Sequence, residues 1–409
     1  MSFITSYISS FKGLSQESWM LSIVMFLNRA GAMVLPFLGI YISSSLGYTI
    51  ADAGMVLSCF GLGSIIGSTL GGWLTDKIGN YSVQVGSLFL TAPIYMVLPH
   101  MESLYALCAG MFLLSIISQC FLPANSVAIS KYAKPENLTR AFSLNRLAVN
   151  LGFSIGPAIG GFLSAISFDL LFYINGIACL VAGVTYIIFF RSRKERNVGF
   201  KSGAVPNKTI QSPYKDKPFI AFTIICAFFC ICFFQLLSTL PLYLRENRGL
   251  DESQIGLLMG FSGILIVIME MPLVKIVERK MTIPKIMLYG TLVTSSSYLL
   301  YLINPTVALL YLAIFLMSIG EMLILPFMST VTALRSNESN KGVYMGMNSL
   351  ASSIALVISP VLGTKIVEEF SFNYLWLGTS LLLLVSAIGF YFTSKKLNVD
   401  ELNNKVNIH

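Results

Sequence analysis

Long apolar runs alternate with short polar segments along the whole chain, and this pattern predicts twelve membrane-spanning helices. A helix needs about 20 apolar residues to cross the hydrocarbon core of a bilayer. The runs are continuously apolar, whereas membrane β-strands would show about ten residues of alternation, so a β-barrel is excluded. The predicted spans cover residues 18–43, 51–75, 81–99, 104–130, 141–166, 169–190, 218–244, 254–277, 283–303, 306–332, 343–367 and 372–393.

Composition supports an all-α membrane protein. Hydrophobic types make up 55% of the 409 residues and charged types only 11%, against about 25% charged residues in ordinary soluble domains. So few charges cannot cover a water-facing surface, which excludes a soluble enzyme, a disordered chain and a disulfide scaffold. The N-terminal segment lacks the basic region and cleavage site of a signal peptide, so the first run is expected to remain as span 1.

The positive charges predict the orientation. Most of the 27 Lys and Arg residues lie before span 1, between even and odd spans, or after span 12. The alternate connections hold only Arg245, Arg248 and Lys365. The positive-inside rule then predicts cytoplasmic termini for a multi-pass protein of the plasma (inner) membrane. The net charge of +8 therefore reflects topology, and no basic stripe with interleaved aromatic residues indicates nucleic-acid binding.

An internal repeat predicts two six-helix halves, residues 1–190 and 218–409, joined by the polar linker 191–217. Several positions of the first half recur at one constant offset in the second: Pro123 and Pro326, Asn145 and Asn348, Pro157 and Pro360, Gly160 and Gly363. Duplicated halves of this kind are typical of secondary transporters, whose substrate site lies at the midplane between the repeats.

The connection after span 2 reads G-W-L-T-D-K-I-G, with Gly72, Leu74, Asp76 and Gly79 at characteristic positions. Gly72 permits close helix approach and Gly79 a sharp turn. Asp76 can meet the positive N-terminal end of a neighbouring helix and so hold the halves in one state. The segment resembles the loop 2–3 signature of the major facilitator superfamily.

Span 5 reads G-F-S-I-G-P-A-I-G-G, which places small residues at helical spacing and a proline among them. The segment resembles the motif carried by exporters of the same superfamily, in its drug/proton antiporter branch. We expect a mechanical role, in which close packing and a bend shape the interface between the halves without touching substrate. The motif residues are Gly152, Gly156, Pro157, Gly160 and Gly161.

The resemblance implies a secondary active transporter, a proton-coupled exporter (antiporter) of small amphipathic or drug-like molecules that works by alternating access. It also implies a monomer whose partners are protons, a small-molecule substrate and membrane lipid. The alternatives are uptake by proton symport and movement of a lipid-like substrate. A membrane sensor or enzyme would need a further soluble domain or a catalytic constellation.

No enzyme, cofactor or metal site is predicted. The sequence has no phosphate-binding loop. All seven cysteines fall inside predicted spans, where they are interpreted as small hydrophobic residues. The histidines are His100 and the terminal His409, too few for a metal cluster or for a Ser-His-Asp set within the membrane.

Ionisable residues lie clearly within the spans at four positions, Arg29, Arg146, Glu270 and Glu321. A charge at the bilayer centre costs at least ~2.5–3.5 kcal/mol, so each is a functional candidate. Exporters of the branch often carry an Arg in span 4, where this chain has Ile116. Proton coupling must therefore use other charges.

Glu321 is the first candidate for the proton-carrying carboxylate, with Glu270 next and Arg29 as its basic partner. The resemblance places spans 1, 4, 7 and 10 around a central cavity, with Arg29 and Glu321 in it from opposite halves. The alternatives are a helix-packing role for Glu321 and a structural cation at Arg29, bound to Asn28 or to backbone carbonyls. The predicted cavity residues are Asn28, Arg29, Tyr41, Gln119, Asn125, Asn150, Gln235 and Glu321.

Arg146 and Glu270 lie on the predicted cytoplasmic parts of spans 5 and 8. The resemblance places these two spans face to face across the halves. We therefore expect Arg146 and Glu270 to pair as a gate when the cytoplasmic side is closed. The alternative is that each residue is satisfied within its own half.

Overall fold

The computed structural model describes residues 7, 9–164, 166–196, 212–250, 252–303 and 306–397. Within these residues the chain is helical, without β-strands, and twelve helices are long and apolar enough to cross a membrane. The predicted all-α, twelve-span fold is therefore confirmed.

In the first half, spans 1 and 4 are each built from two helices. The helix bounds are Gln16–Ala30 and Val34–Ile40 for span 1, Ile50–Ile78 for span 2, Asn80–Val97 for span 3, Leu104–Gln119 and Phe121–Tyr132 for span 4, Leu138–Ser164 for span 5, and Asp169–Arg196 for span 6.

In the second half, span 7 is again built from two helices. The bounds are Lys217–Phe233 and Gln235–Glu246 for span 7, Glu252–Lys280 for span 8, Ile283–Leu299 for span 9, Val307–Arg335 for span 10, Lys341–Glu369 for span 11, and Phe372–Lys396 for span 12.

Several helices extend beyond the apolar runs that predicted them. Span 6 continues to Arg196 and span 8 to Lys280, because a helix does not end where its side chains become charged. Residues 191–196 of the predicted linker are thus helical. Residues 197–211 and the tail 398–409 lie outside the described residues. We call the end of the bundle where span 6 ends and span 7 begins the linker end.

Prolines account for two of the three interruptions. A proline lacks an N–H and clashes with the carbonyl four residues earlier. Pro36 stands four residues after Ala32, at the break in span 1, and Pro123 stands four after Gln119, at the break in span 4. Span 10 contains Pro326 but remains one continuous helix.

Each half packs a large hydrophobic core of its own. In the second half, buried Trp376 stacks on Tyr298 with ring centroids 5.7 Å apart. Smaller clusters join the halves towards the linker end, where Leu144 and Leu147 of span 5 pack with Met271 of span 8. The arrangement brings spans 5, 8 and 10 together around the buried charges.

Candidate functional site

Arg146 lies between two carboxylates of the other half. Its Nε and Nη2 donate to Oε1 and Oε2 of Glu270 at 2.8 and 3.2 Å, and its Nη1 donates to Oε1 of Glu321 at 2.6 Å. The Glu270 side chain is fully buried, and those of Arg146 and Glu321 are 12% and 6% exposed. We call these three residues the Arg146 cluster.

The fork of the guanidinium explains how one cation serves both carboxylates. Glu270 accepts two parallel hydrogen bonds from Nε and Nη2, which is the strongest geometry for an Arg–carboxylate pair. Glu321 accepts one hydrogen bond from the remaining nitrogen, Nη1. Gly320 allows span 10 to approach span 9, since a Cβ there would lie 2.8 Å from the Gly290 carbonyl oxygen. With all groups ionised, the cluster carries one excess negative charge.

Further polar contacts join the halves between the Arg146 cluster and the linker end. Thr330 Oγ1 donates to Thr139 Oγ1 at 3.1 Å. Arg140 Nε lies 3.7 Å from Glu278 Oε2. Because these contacts cross from span 5 to spans 8 and 10, they hold the linker ends of the halves together.

Asp76 makes a second junction between the halves. Its Oδ1 and Oδ2 accept the backbone N–H groups of Gly342 and Val343 at 2.5 and 2.8 Å. These N–H groups belong to the first turn of span 11, which has no intrahelical acceptor for them. A carboxylate there also meets the positive end of the helix dipole. The structure thus places Asp76 at a helix N-terminus, as the sequence led us to expect.

Glycines bring the backbones of spans 2 and 11 into contact beside Asp76. A Cβ at Gly72 would lie 2.5 Å from the Gly342 carbonyl oxygen and 2.9 Å from the Gly346 Cα. Gly79 has a positive φ of 85° and directly follows span 2. Leu74 is partly buried and packs against a small cluster that contains Val83 and Cys120.

The span 5 motif packs differently from our expectation. A Cβ at Gly152 would lie 2.6 Å from the Arg29 Cβ, and one at Gly156 would lie 3.0 Å from the Ala30 carbonyl oxygen. Gly160 and Gly161 face Phe37. These glycines therefore shape the contact with span 1 of the same half, and not the interface between the halves. Pro157 lies within the helix Leu138–Ser164.

Arg29 lines a cavity of about 160 Å³ together with Asn28 and Gln119. All of its lining residues belong to the first half, and Glu321 is not among them. This corrects the expectation that Arg29 and Glu321 share one cavity, because Glu321 binds Arg146 instead. The Glu321 carboxylate points towards span 5. The order of the spans along the chain does not specify the direction in which a side chain points.

The other predicted cavity residues are distributed among packed positions. Tyr41 packs against Phe172 in the core of the first half. Asn125 Nδ2 donates to Asn145 Oδ1 at 3.0 Å. The carbonyl oxygen of Asn150 accepts the Ser154 hydroxyl. The Gln235 amide donates to the Ser359 carbonyl oxygen and accepts the Thr239 hydroxyl. Gln235 also lines a second cavity of about 180 Å³.

Sequence reasoning missed a network at the start of span 7. Arg335 Nε donates to Asp216 Oδ2 at 2.7 Å, and the Tyr344 hydroxyl donates to the same oxygen at 3.0 Å. Burial raises the pKa of Asp216, but these hydrogen bonds and the Arg335 charge outweigh it and leave the pKa below its ordinary value. The available signal was an acidic residue directly before Lys217-Pro218, which is typical of a helix N-cap.

Among the described residues, no group of three or more His, Cys, Asp or Glu side chains could hold a metal ion. The cysteines described in the structure are free thiols.

The described residues form twelve helices long and apolar enough to cross a membrane, with buried ion pairs between two halves, an arrangement typical of secondary transporters. The sequence model of the Major Facilitator Superfamily matches residues 20–288 and 243–406, and the chain belongs to this family. It is therefore a transporter by family, integral to the membrane with multiple spans.

Three named relatives and one solved structure are similar to this chain and are consistent with this family. The MFS-type transporter YttB of Bacillus subtilis (strain 168) is 27% identical over 389 residues, covering 94% of this chain and 97% of the relative. Multidrug resistance protein 1 of the same organism is 26% identical over 318 residues, covering 76% and 79%. The quinolone resistance protein NorA of Staphylococcus aureus is 25% identical over 190 residues, covering 46% and 49%. A bacterial homologue of the iron transporter ferroportin shares the fold, with a TM-score of 0.76, 18% identity, and 92% and 99% of the two chains covered.

Proposed function

We propose that the chain is a proton-coupled exporter of small amphipathic or drug-like molecules that works by alternating access between its two halves. The observation that carries this proposal is the Arg146 cluster, in which one guanidinium holds two buried carboxylates across the interface. Substrate, protons, membrane lipid and a monomeric state belong to the proposal, as do cytoplasmic termini in the plasma (inner) membrane.

The cluster favours a proton for an electrostatic reason. Two carboxylates and one guanidinium leave an excess negative charge in a buried site, and uptake of one proton removes it. Glu321, held by a single hydrogen bond, takes the proton in this proposal. Glu270, held by two, remains ionised beside Arg146 as the gate.

Protonation is coupled to movement because the affected bond crosses the interface. A neutral Glu321 binds Arg146 less strongly, so the linker end loses part of what holds it closed. The proton then leaves on the opened side, and the ionised carboxylate favours closure again. The named relatives that are resistance proteins, together with the span 5 motif, favour export as the direction of substrate movement.

The test uses everted membrane vesicles and a panel of cationic and anionic amphipathic dyes. An imposed proton gradient should drive dye accumulation, and a protonophore should abolish it. Accumulation that is insensitive to the protonophore would reject proton coupling. Gradient-driven accumulation only in right-side-out vesicles would indicate symport.

Glu321→Gln should abolish gradient-driven accumulation while dye binding remains. Glu338→Gln is the matched control, since Glu338 is an exposed residue between spans 10 and 11. Full coupled transport in Glu321→Gln would move the proton site to another residue, with Glu270 next.

A further inference from the structure

Arg29 is a cation without a counterion in the membrane part of the first half. Among the described residues, no carboxylate pairs with it or lines its cavity. The ionisable side chains beside it are Tyr95 and Cys179, both ordinarily neutral at pH 7. An unpaired cation within a span is expensive to keep, which indicates a charge supplied from outside the chain.

The local contacts of Arg29 satisfy its guanidinium only in part. The Phe153 ring lies 5.4 Å from the guanidinium carbon, a cation–π contact. Buried Nε has no hydrogen-bond partner in the structure. The guanidinium therefore has donor capacity left over, and Arg29 lines a cavity.

That cavity, the Arg29 cavity, combines polar groups at one place with apolar walls. Thr91 Oγ1 is buried there and also lacks a partner. Asn28 and Gln119 contribute amide groups, and Phe60 contributes apolar surface. Its volume of about 160 Å³ resembles the ~150 Å³ that admits benzene in an apolar cavity, which is enough for the head of an aromatic acid.

We propose that the Arg29 cavity binds the carboxylate of an amphipathic organic acid. Arg29 pairs with the carboxylate, Thr91 and Gln119 donate hydrogen bonds to it, and Phe60 and Phe153 contact the apolar body. The inference that this acid is the transported substrate rests on the proposed function, whereas its binding does not.

One consequence separates this site from the proton site. The substrate charge is taken by Arg29 in the first half, and the proton by a cluster that shares no residue with the cavity. Substrate and proton therefore do not compete for one carboxylate.

The experiment measures binding without any gradient, to the full chain in lipid nanodiscs. Equilibrium dialysis compares 2-naphthoate, 2-naphthamide and 2-naphthamidine, which share a ring and differ in charge. Hydrogen bonds to charged groups are strong enough for 2-naphthoate to bind at least about tenfold more tightly than the amide. Arg29→Gln should remove this preference and Arg29→Lys should retain part of it. Arg245→Gln, which removes an exposed charge at the end of span 7, should leave it unchanged.

Tighter binding of 2-naphthamidine, or a carboxylate preference that survives Arg29→Gln, would overturn the proposal. If Arg29→Gln does not fold, Thr91→Val and Gln119→Leu take its place, and each should weaken 2-naphthoate binding several-fold. An unchanged carboxylate preference in both would equally overturn it. Arg29-dependent binding without gradient-driven transport would instead refute the proposed function and leave this site standing.

Discussion

Arg146 and Glu270 bind each other through two parallel hydrogen bonds that cross the interface between the halves. The donor–acceptor distances are 2.8 and 3.2 Å, and the Glu270 side chain is fully buried. Removing one partner of such a pair leaves the other as an uncompensated buried charge. Removing either residue should therefore change the conformational equilibrium of the protein by a measurable amount.

Arg146→Ala should shift the protein away from the arrangement closed at the linker end. Breaking a buried pair costs about 3–5 kcal/mol, so the closed population should fall by about a hundredfold to a few thousandfold relative to the open one. Spin labels at Lys131→Cys and Glu338→Cys, in a background without the native cysteines, report the distance between the halves. Lys365→Ala, which breaks an exposed pair with Glu369, should leave the distance distribution unchanged.

Asp76→Ala should weaken the same closure more modestly. It leaves two N–H groups of span 11 without their acceptor and removes a charge from the helix N-terminus, together worth about 1–2 kcal/mol. The control is Asp52→Ala, because the Asp52 carboxylate accepts the backbone N–H of Thr49, the N-cap residue of its own helix. Asp52→Ala should lower thermal stability without changing the spin-label distances. Equal effects of the two variants would argue against a conformational role for Asp76.

Gly72→Ala should separate spans 2 and 11, because the new Cβ would meet the Gly342 backbone. Overpacking of this kind costs about 1–3 kcal/mol. The expected result is a smaller closed population in the spin-label experiment. Gly54→Ala lies in the same helix and meets open space, so it should behave as the wild type.

The two ends of the span 5 motif should respond differently to an added methyl group. Gly152→Ala places a Cβ against the Arg29 side chain and the Ala30 backbone, whereas Gly161→Ala meets Phe37 only at 3.8 Å. Thermal unfolding in detergent should show Gly152→Ala destabilised by about 1–3 kcal/mol and Gly161→Ala near neutral. The reverse order would contradict the packing of span 5 on span 1.

Asp216 should make stability depend on acid pH. Its pKa is lowered in the folded state, so its contribution is present above the unfolded pKa and is lost as pH falls through the folded pKa. Asp216→Asn should melt at a lower temperature than the wild type at pH 6–7. The difference should shrink as pH falls below about 4, near the ordinary Asp pKa. A difference that is constant with pH would show that the charge of Asp216 is unimportant.

The sequence predicted the number and order of the spans because lipid imposes a simple rule on apolar runs. It also predicted that Arg146 and Glu270 would meet, since each lies at a similar depth on spans expected to face each other. The partner of Glu321 could not be predicted, because the order of the spans does not specify that its carboxylate points to Arg146 on span 5.

The other differences between the sequence-based predictions and the structure share one reason, which is that the sequence does not specify which helices pack side by side. Glycines at helical spacing identify a close contact but not the neighbouring helix, so the span 5 motif was assigned to the wrong partner. The Asp216 network was missed because its basic and phenolic partners lie more than a hundred residues away. A short polar segment gives no indication of such distant contacts.

Interruptions in spans 1, 4 and 7, beside the continuous helix of span 10, make the repeats mechanically unequal. A helix with a joint concentrates bending at a few peptide units, whereas an unbroken one carries a displacement along its length. Glu321 sits on the unbroken member of this set. A shift of that carboxylate would consequently be carried along one continuous helix of 29 residues, whereas spans 1, 4 and 7 each contain a break at which they can bend.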